Sequence, residues 1–203
     1  MRLLEYVWLA YDSVCAGVLS RISVALADED LERSITELLE AEIHSRMTGE
    51  EPFLVQHGPY EHETRKPAPA QPPQYDIAFR LRQNPRIMWP LEAKVLRSPN
   101  VVGPYVEDVR QEFLTCRYAP FSCEGAMLGY LAEGDPLLAF SAIAAGVPCV
   151  LRHVAHFGGR PHRASDHVRM VPAGKPYPAS FRCHHLILTL CPKPKVPLTP
   201  PPQ

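Results

Sequence analysis

The sequence predicts an α/β fold with a central mixed sheet flanked by helices, and three observations carry that reading. Residues 75–82 alternate Tyr75, Ile77, Phe79 and Leu81 with Asp76, Ala78, Arg80 and Arg82, the period of a half-buried strand. Residues 28–47 repeat Leu31, Ile35, Leu38, Leu39 and Ile43 at the helical period. The two kinds of element then interleave as helix, three strands, helix and strand between about residues 28 and 131. A length of 203 residues with 46% hydrophobic side chains suits one domain over 1–191, with its core at about 28–131 and a C-terminal helix/strand addition over 132–191. An additional helix precedes the core, and a Pro-rich tail, 192–203, follows.

Taken in order, Leu3, Leu4, Val7, Trp8, Tyr11, Cys15 and Val18 form one stripe of an N-terminal helix. Its role is packing, or for Trp8 and Tyr11 a face toward a partner subunit. Glu5, Asp12 and Arg21 break any membrane-length run, and no signal-type segment follows. The second helix opens on Asp28, Glu29, Asp30 and Glu32, acids that the helix dipole favours there. Residues 52–60 read as a strand ended by Gly58-Pro59. Four prolines in 64–74 exclude helix and central strand, leaving a loop on the rim of the site beside His62 and Glu63.

Arg82-Gln-Asn-Pro-Arg86 makes a turn, and Ile87 to Leu96 a second strand of the hairpin. A further helix spans 104–118, and Glu124 to Leu131 is a buried strand. Asp135 caps a helix over 137–145 that begins on Pro136 and closes at Gly146. Cys149 to Val154 and Leu186 to Leu190 are further strands. Between them lies a segment rich in Arg and His.

The chemistry concentrates on the hairpin. Trp89, Leu91, Ala93 and Val95 share one face of the second strand, Glu92 and Lys94 the other. A turn centred on Asn84 sets Asp76 opposite Glu92; a one-residue slip would put Asp76 on the wrong face. Asp76 and Glu92 then make a hard-oxygen site suited to Mg²⁺ or Mn²⁺, with the Ala93 carbonyl as a further ligand. Lys94 beside them can hold a water and a phosphate oxygen, the equipment of metal-assisted phosphodiester hydrolysis. The plain alternative is a Glu/Lys pair on a solvated strand face.

Asp76 with Glu92-Ala93-Lys94 resembles the PD-(D/E)xK nuclease superfamily, and the element order resembles its restriction-endonuclease-like αβββαβ core. The match departs at the first acid, which follows Pro73-Gln74-Tyr75 rather than proline directly. The resemblance implies catalytic roles for Asp76, Glu92 and Lys94. It implies a metal-facing glutamate on the second helix, Glu32 first with Glu29 and Glu37 behind it, and a supporting Gln111 on the helix after the hairpin. It further implies DNA cleavage, in restriction or phage defence, beside a separate sensor or motor protein.

A net charge of −1 gives no global basic signal, so a nucleic-acid partner needs a local patch. Arg80 and Arg82 on the hairpin, with Arg163 and Arg169 in the basic segment, are the expected phosphate grip. Self-association as a homodimer would supply two sites for duplex cleavage. Six cysteines without a C-x-x-C point to a reducing cytoplasm. A rival reading places zinc on His153 and His156, or on His184 and His185 with Cys183. The functional alternatives are a non-catalytic nucleic-acid-binding or assembly subunit on the same fold, and an RNA-directed nuclease.

Overall fold

The computed structural model describes residues 2–19, 26–66 and 70–190. Helices α1 (Arg2–Gly17) and α2 (Asp28–Arg46) lead into strands β1 (Phe53–His57), β2 (Ile77–Leu81) and β3 (Met88–Leu96). Helix α3 (Gly103–Asp108) runs on into a π-helical turn, Val109–Phe113, before β4 (Glu124–Leu131) and α4 (Pro136–Gly146). Strands β5 (Arg152–His153), β6 (His162–Val168) and β7 (Ser180–Thr189) complete the fold. The seven strands form one mixed sheet in the order β1-β2-β3-β4-β7-β6-β5. Strand β3 is parallel to β4 and β4 to β7, and every other pairing is antiparallel.

Each face of the sheet carries its own core. Val7, Trp8, Leu31, Ile35 and Leu39 of α1 and α2 pack on Ile77, Phe79, Leu91, Ala93, Val95 and Leu128. Tyr105, Val106, Phe140 and Ile143 of α3 and α4 pack on Ala78, Leu96, Met127 and Ile187. A central strand covered on both sides must be apolar on both, which is why β4 reads as an unbroken apolar run. Asp135 caps α4 as its sequence implies, accepting from the Leu137 N–H at 2.8 Å.

The hairpin register sets Ile77 opposite Leu91 and Phe79 opposite Trp89, so the next position outward brings Asp76 opposite Glu92. This is the register expected from a turn centred on Asn84. Four expectations change. The helix after the hairpin stops at Phe113, where Cys116 and Ala119 take positive φ values of 61° and 52° and turn the chain back toward the sheet. The basic segment contains a seven-residue strand, β6, where no strand is read from the sequence. Its partner β7 is twice the expected length. Trp8 faces no partner: it is 2% exposed and buried within the chain. The tail 192–203, Cys191 and residues 67–69 of the Pro-rich loop lie outside the described residues. Among the described residues no helix is long and apolar enough to cross a membrane, and Cys116, Cys123, Cys149 and Cys183 are free thiols.

The histidines of β6 and β7 are structural. The Trp8 indole, which can only donate, gives its N–H to His162 Nδ1 at 3.3 Å. That fixes the His162 proton on Nε2, which is 3.1 Å from His184 Nδ1. On the opposite face His185 lies between Tyr105 and Ser165, and Ser165 also meets His167. Burial lowers His162 to about 3, His184 to about 4 and His185 to about 3, so all three fold as neutral rings. Such a ring binds a proton more readily in the unfolded chain. Its contribution is whole above pH 6.5 and is lost as pH falls toward the folded value. Against wild type, His162→Gln is expected to flatten the fall in stability between pH 6 and 4 by roughly 1.4 kcal/mol per pH unit. Urea midpoints across that range measure it, and parallel profiles for the two proteins would show that His162 is charged in the native state.

A candidate acidic site where the sheet opens

The β2–β3 ladder stops at the Ile77–Leu91 pair, but β3 runs on to Leu96 alongside β4. In a parallel pair, alternate residues turn their backbone groups to the same neighbour. Leu96 offers its carbonyl on the β4 side, to the Ala132 N–H, so Ala93 and Val95 face the gap left by β2. Their polar groups cannot stay unpaired in a buried sheet, and side chains take the place of the missing strand. Asp76 Oδ2 accepts the Ala93 N–H at 2.7 Å. Glu32 Oε2, arriving from α2, accepts the Val95 N–H at 3.2 Å. Lys94 Nζ donates to the Ala93 carbonyl at 2.7 Å.

The Lys94 ammonium is also the centre of an acidic cluster. Glu92 Oε1 lies 3.0 Å from it, Glu32 Oε1 3.4 Å and Asp108 Oδ2 3.0 Å, the last without hydrogen-bond alignment. Glu92 is only 6% exposed, and its Oε2 is buried with no hydrogen-bond partner. Burial alone would lower the Lys94 ammonium, but Glu92, Glu32, Asp108 and Asp76 outweigh it and raise it above the usual lysine range. Burial lifts Glu32 to about 7, against the pull of Lys94. Burial first, then repulsion from Asp76, pushes Glu92 well above the ordinary carboxylate range. Asp76 is raised by burial too, with Lys94 and the Ala93 N–H opposing. One cation thus serves four carboxylates, and the cluster is short of positive charge.

Among the described residues no three His, Cys, Asp or Glu side chains stand as a ready-made metal group; these carboxylates are disposed around an ammonium instead. The donor set nonetheless suits a hard divalent ion. Asp76, Glu92 and the Ala93 carbonyl supply only oxygen, and the orphaned Glu92 Oε2 is a buried acceptor that wants a cation.

The structure brings Asp76, Glu92, Ala93, Lys94 and Glu32 together. Glu29 lines the adjoining cleft, and Glu37 is exposed on α2 away from it. Gln111 is corrected: it is exposed, and from this helix Asp108 meets Lys94 instead. A spacing counted along an uninterrupted helix to residue 118 misses this, because α3 passes into a wider π turn straight after Asp108. Its only signal is an acid embedded among Tyr105, Val106 and Val109, apolar residues that face the sheet.

The expected phosphate grip disperses. Arg169 is corrected outright: at 4% exposure it is buried over Phe181, donating to the Pro178 and Ala119 carbonyls. Arg163 lies over the Phe140 ring on β6, three strands and so roughly 14 Å from β3. Arg80 donates to Gln56 and Arg82 to the Glu51 carbonyl, toward the turn end of the hairpin. Of the rim residues, His62 is exposed beside Tyr60, while Glu63 binds Arg86, Lys175 and Tyr177. The rival zinc ligands His184 and His185 point to opposite sides of β7 into the networks described above, and His156 pairs with Glu5.

No family model matches the chain, and neither a curated protein nor a solved structure does.

Removing the ammonium leaves four carboxylates facing one another. Lys94→Ala is expected to cost roughly 3 kcal/mol of stability near pH 8. The cost shrinks toward pH 5, because a carboxyl whose folded pKa is raised binds protons that the unfolded chain has released, so stability drops as pH climbs. Added Mg²⁺ should restore part of the loss. Urea unfolding at both pH values checks this; an equal loss at each would mean that the acids do not sense Lys94.

Proposed function

We propose that the chain is a metal-dependent nuclease, hydrolysing phosphodiester bonds most readily in DNA. The observation that carries this reading is the convergence, in the gap between β2 and β3, of Asp76, Glu92, the Ala93 carbonyl and Lys94, with one inner oxygen of Glu92 unpaired. The order helix, three antiparallel-linked strands, helix and parallel strand, from α2 to β4, supports a restriction-endonuclease-like core. Asp76 and Glu92 are the acids to which the resemblance gives the metal.

Asp76, Glu92 and the Ala93 carbonyl would hold Mg²⁺ or Mn²⁺, with Glu32 facing the same space. When bound, the ion would lower the pKa of a water and offset charge on the scissile phosphate. Asp76 remains tied to the Ala93 N–H, on the same edge of β3 as the Ala93 carbonyl that Lys94 holds. Lys94 stays protonated among its acids, so it orients the attacking water and stabilises negative charge growing on the phosphate oxygens rather than removing a proton. Glu32, outside the ligand set and raised by burial to about 7, would accept the proton that water gives up. Two such sites on a duplex call for a second copy of the chain.

Incubating plasmid DNA and RNA with wild type, Lys94→Ala and Asp76→Asn, in Mg²⁺, Mn²⁺ or EDTA, tests the reading. Wild type is expected to cut with either metal and not in EDTA, and each substitution to slow cutting by roughly a hundredfold or more. Equal cutting by Lys94→Ala and wild type would sink the assignment. DNA binding without turnover would favour the non-catalytic alternative.

A further inference from the structure

A cleft of about 290 Å³ opens directly off the acidic site, between the start of α2 and the end of β1. Its lining includes Asp76 and Glu32 from the site, with Glu29, Arg33, His57 and Gln74 around them. A polyanion cannot approach three carboxylates without a compensating donor. Arg33 is the only permanent cation among these lining residues. Its one ion pair is a loose 4.0 Å contact with Asp30, both side chains being 64% exposed, so its guanidinium is free to engage a ligand. His57 stands at the end of β1 where the next residue, Gly58, donates its N–H to the Asp76 carbonyl. The imidazole is exposed and lines the cleft beside Asp76. Gly58 itself sits at φ +64°, and a Cβ there would lie 2.8 Å from the Gln74 amide. The bare backbone lets Gln74 fold across it and donate to the Gly58 carbonyl at 2.9 Å, forming a wall of the cleft. The arginines expected to grip phosphate are engaged or distant, whereas this cleft sets Arg33, His57 and Gln74 beside the acids.

We propose that this cleft is a phosphate subsite, in which Arg33 and His57 hold the phosphodiester next to the one that is cleaved. The proposal rests on the nuclease reading for its place in a reaction, but its binding arm is independent of turnover. Arg33 makes the bidentate contact that a phosphate favours, and His57 adds a directed N–H. The subsite sets which phosphate of the backbone falls over Glu92 and Lys94.

The test is binding of a short fluorescein-labelled DNA duplex, in EDTA and over a series of salt concentrations, to wild type, Arg33→Ala, His57→Ala and Arg46→Ala. Arg46, an arginine at the other end of α2, controls for loss of one charge. Arg33→Ala is expected to weaken binding roughly tenfold and to reduce the salt slope by about one. His57→Ala gives a smaller loss, and Arg46→Ala binds as wild type does. With Mg²⁺, Arg33→Ala raises KM more than it lowers kcat. Arg33-dependent binding without any cleavage would support the subsite while overturning hydrolysis. Cleavage and binding equally insensitive to Arg33→Ala and Arg46→Ala would overturn the subsite and leave hydrolysis standing. Wild type failing to bind either DNA or the matching RNA duplex would overturn the subsite.

Discussion

Hydrogen-bonding groups on the β2 side of β3 lose their strand partner after Leu91, and the surrounding architecture answers that loss. A buried amide left unpaired costs on the order of 1–3 kcal/mol, so Ala93 and Val95 need acceptors from somewhere. The chain supplies carboxylates, one from the segment entering β2 and one from a helix on the α1/α2 face of the sheet. Once Asp76 and Glu32 serve as backbone partners, their charges are drawn into a part-buried space. Only a cation between them can make that tolerable, and Lys94 is placed two residues along the same strand from Glu92 to provide it.

The cluster is stabilised as a structural unit and remains electrostatically incomplete. The carboxylates reach toward one ammonium, and the innermost oxygen of Glu92 has nothing to accept from. The rigid apolar layers on either side, Leu91 and Ala93 against α2 and Leu96 against α3, keep the strand from relaxing. A site that crowds carboxylates in a fixed shape gains from any added positive charge, a proton as much as a hard cation, because either relieves repulsion already present.

Much of this was legible in the sequence. The alternation from Tyr75 to Arg82 and from Ile87 to Leu96, with a turn at Asn84, carried the register that sets Asp76 opposite Glu92. The N-cap of α4 and the period of α2 were equally local. What escaped was non-local or depended on irregular backbone. Asp108 reaches Lys94 through tertiary packing of a short helix, and the π turn after it defeats a count along ideal helix geometry. Strand β6 carries His162, Arg163, Asp166 and His167, polar residues satisfied by cross-strand partners such as Asp166 with Arg182. Such a strand has no apolar period to betray it. Arg169 illustrates the same limit, since a buried guanidinium and a phosphate-binding one are identical letters.

The line of donors from Trp8 through His162 to His184 joins the first helix to the last strands across more than 150 residues. Other polar side chains of α1 also reach the last third of the chain: Tyr11 donates to the Thr189 carbonyl, Asp12 pairs with Arg160, and Glu5 meets His156. On the ribosome, α1 is therefore made well before these partners and completed only with them. It can rest on α2 early, but Glu5 and Asp12 await His156 and Arg160, its indole awaits His162 on β6, and Tyr11 awaits Thr189 on β7. Such long-range closure slows folding, and during translation it leaves the first helix as the segment most exposed to chaperones and to neighbouring chains.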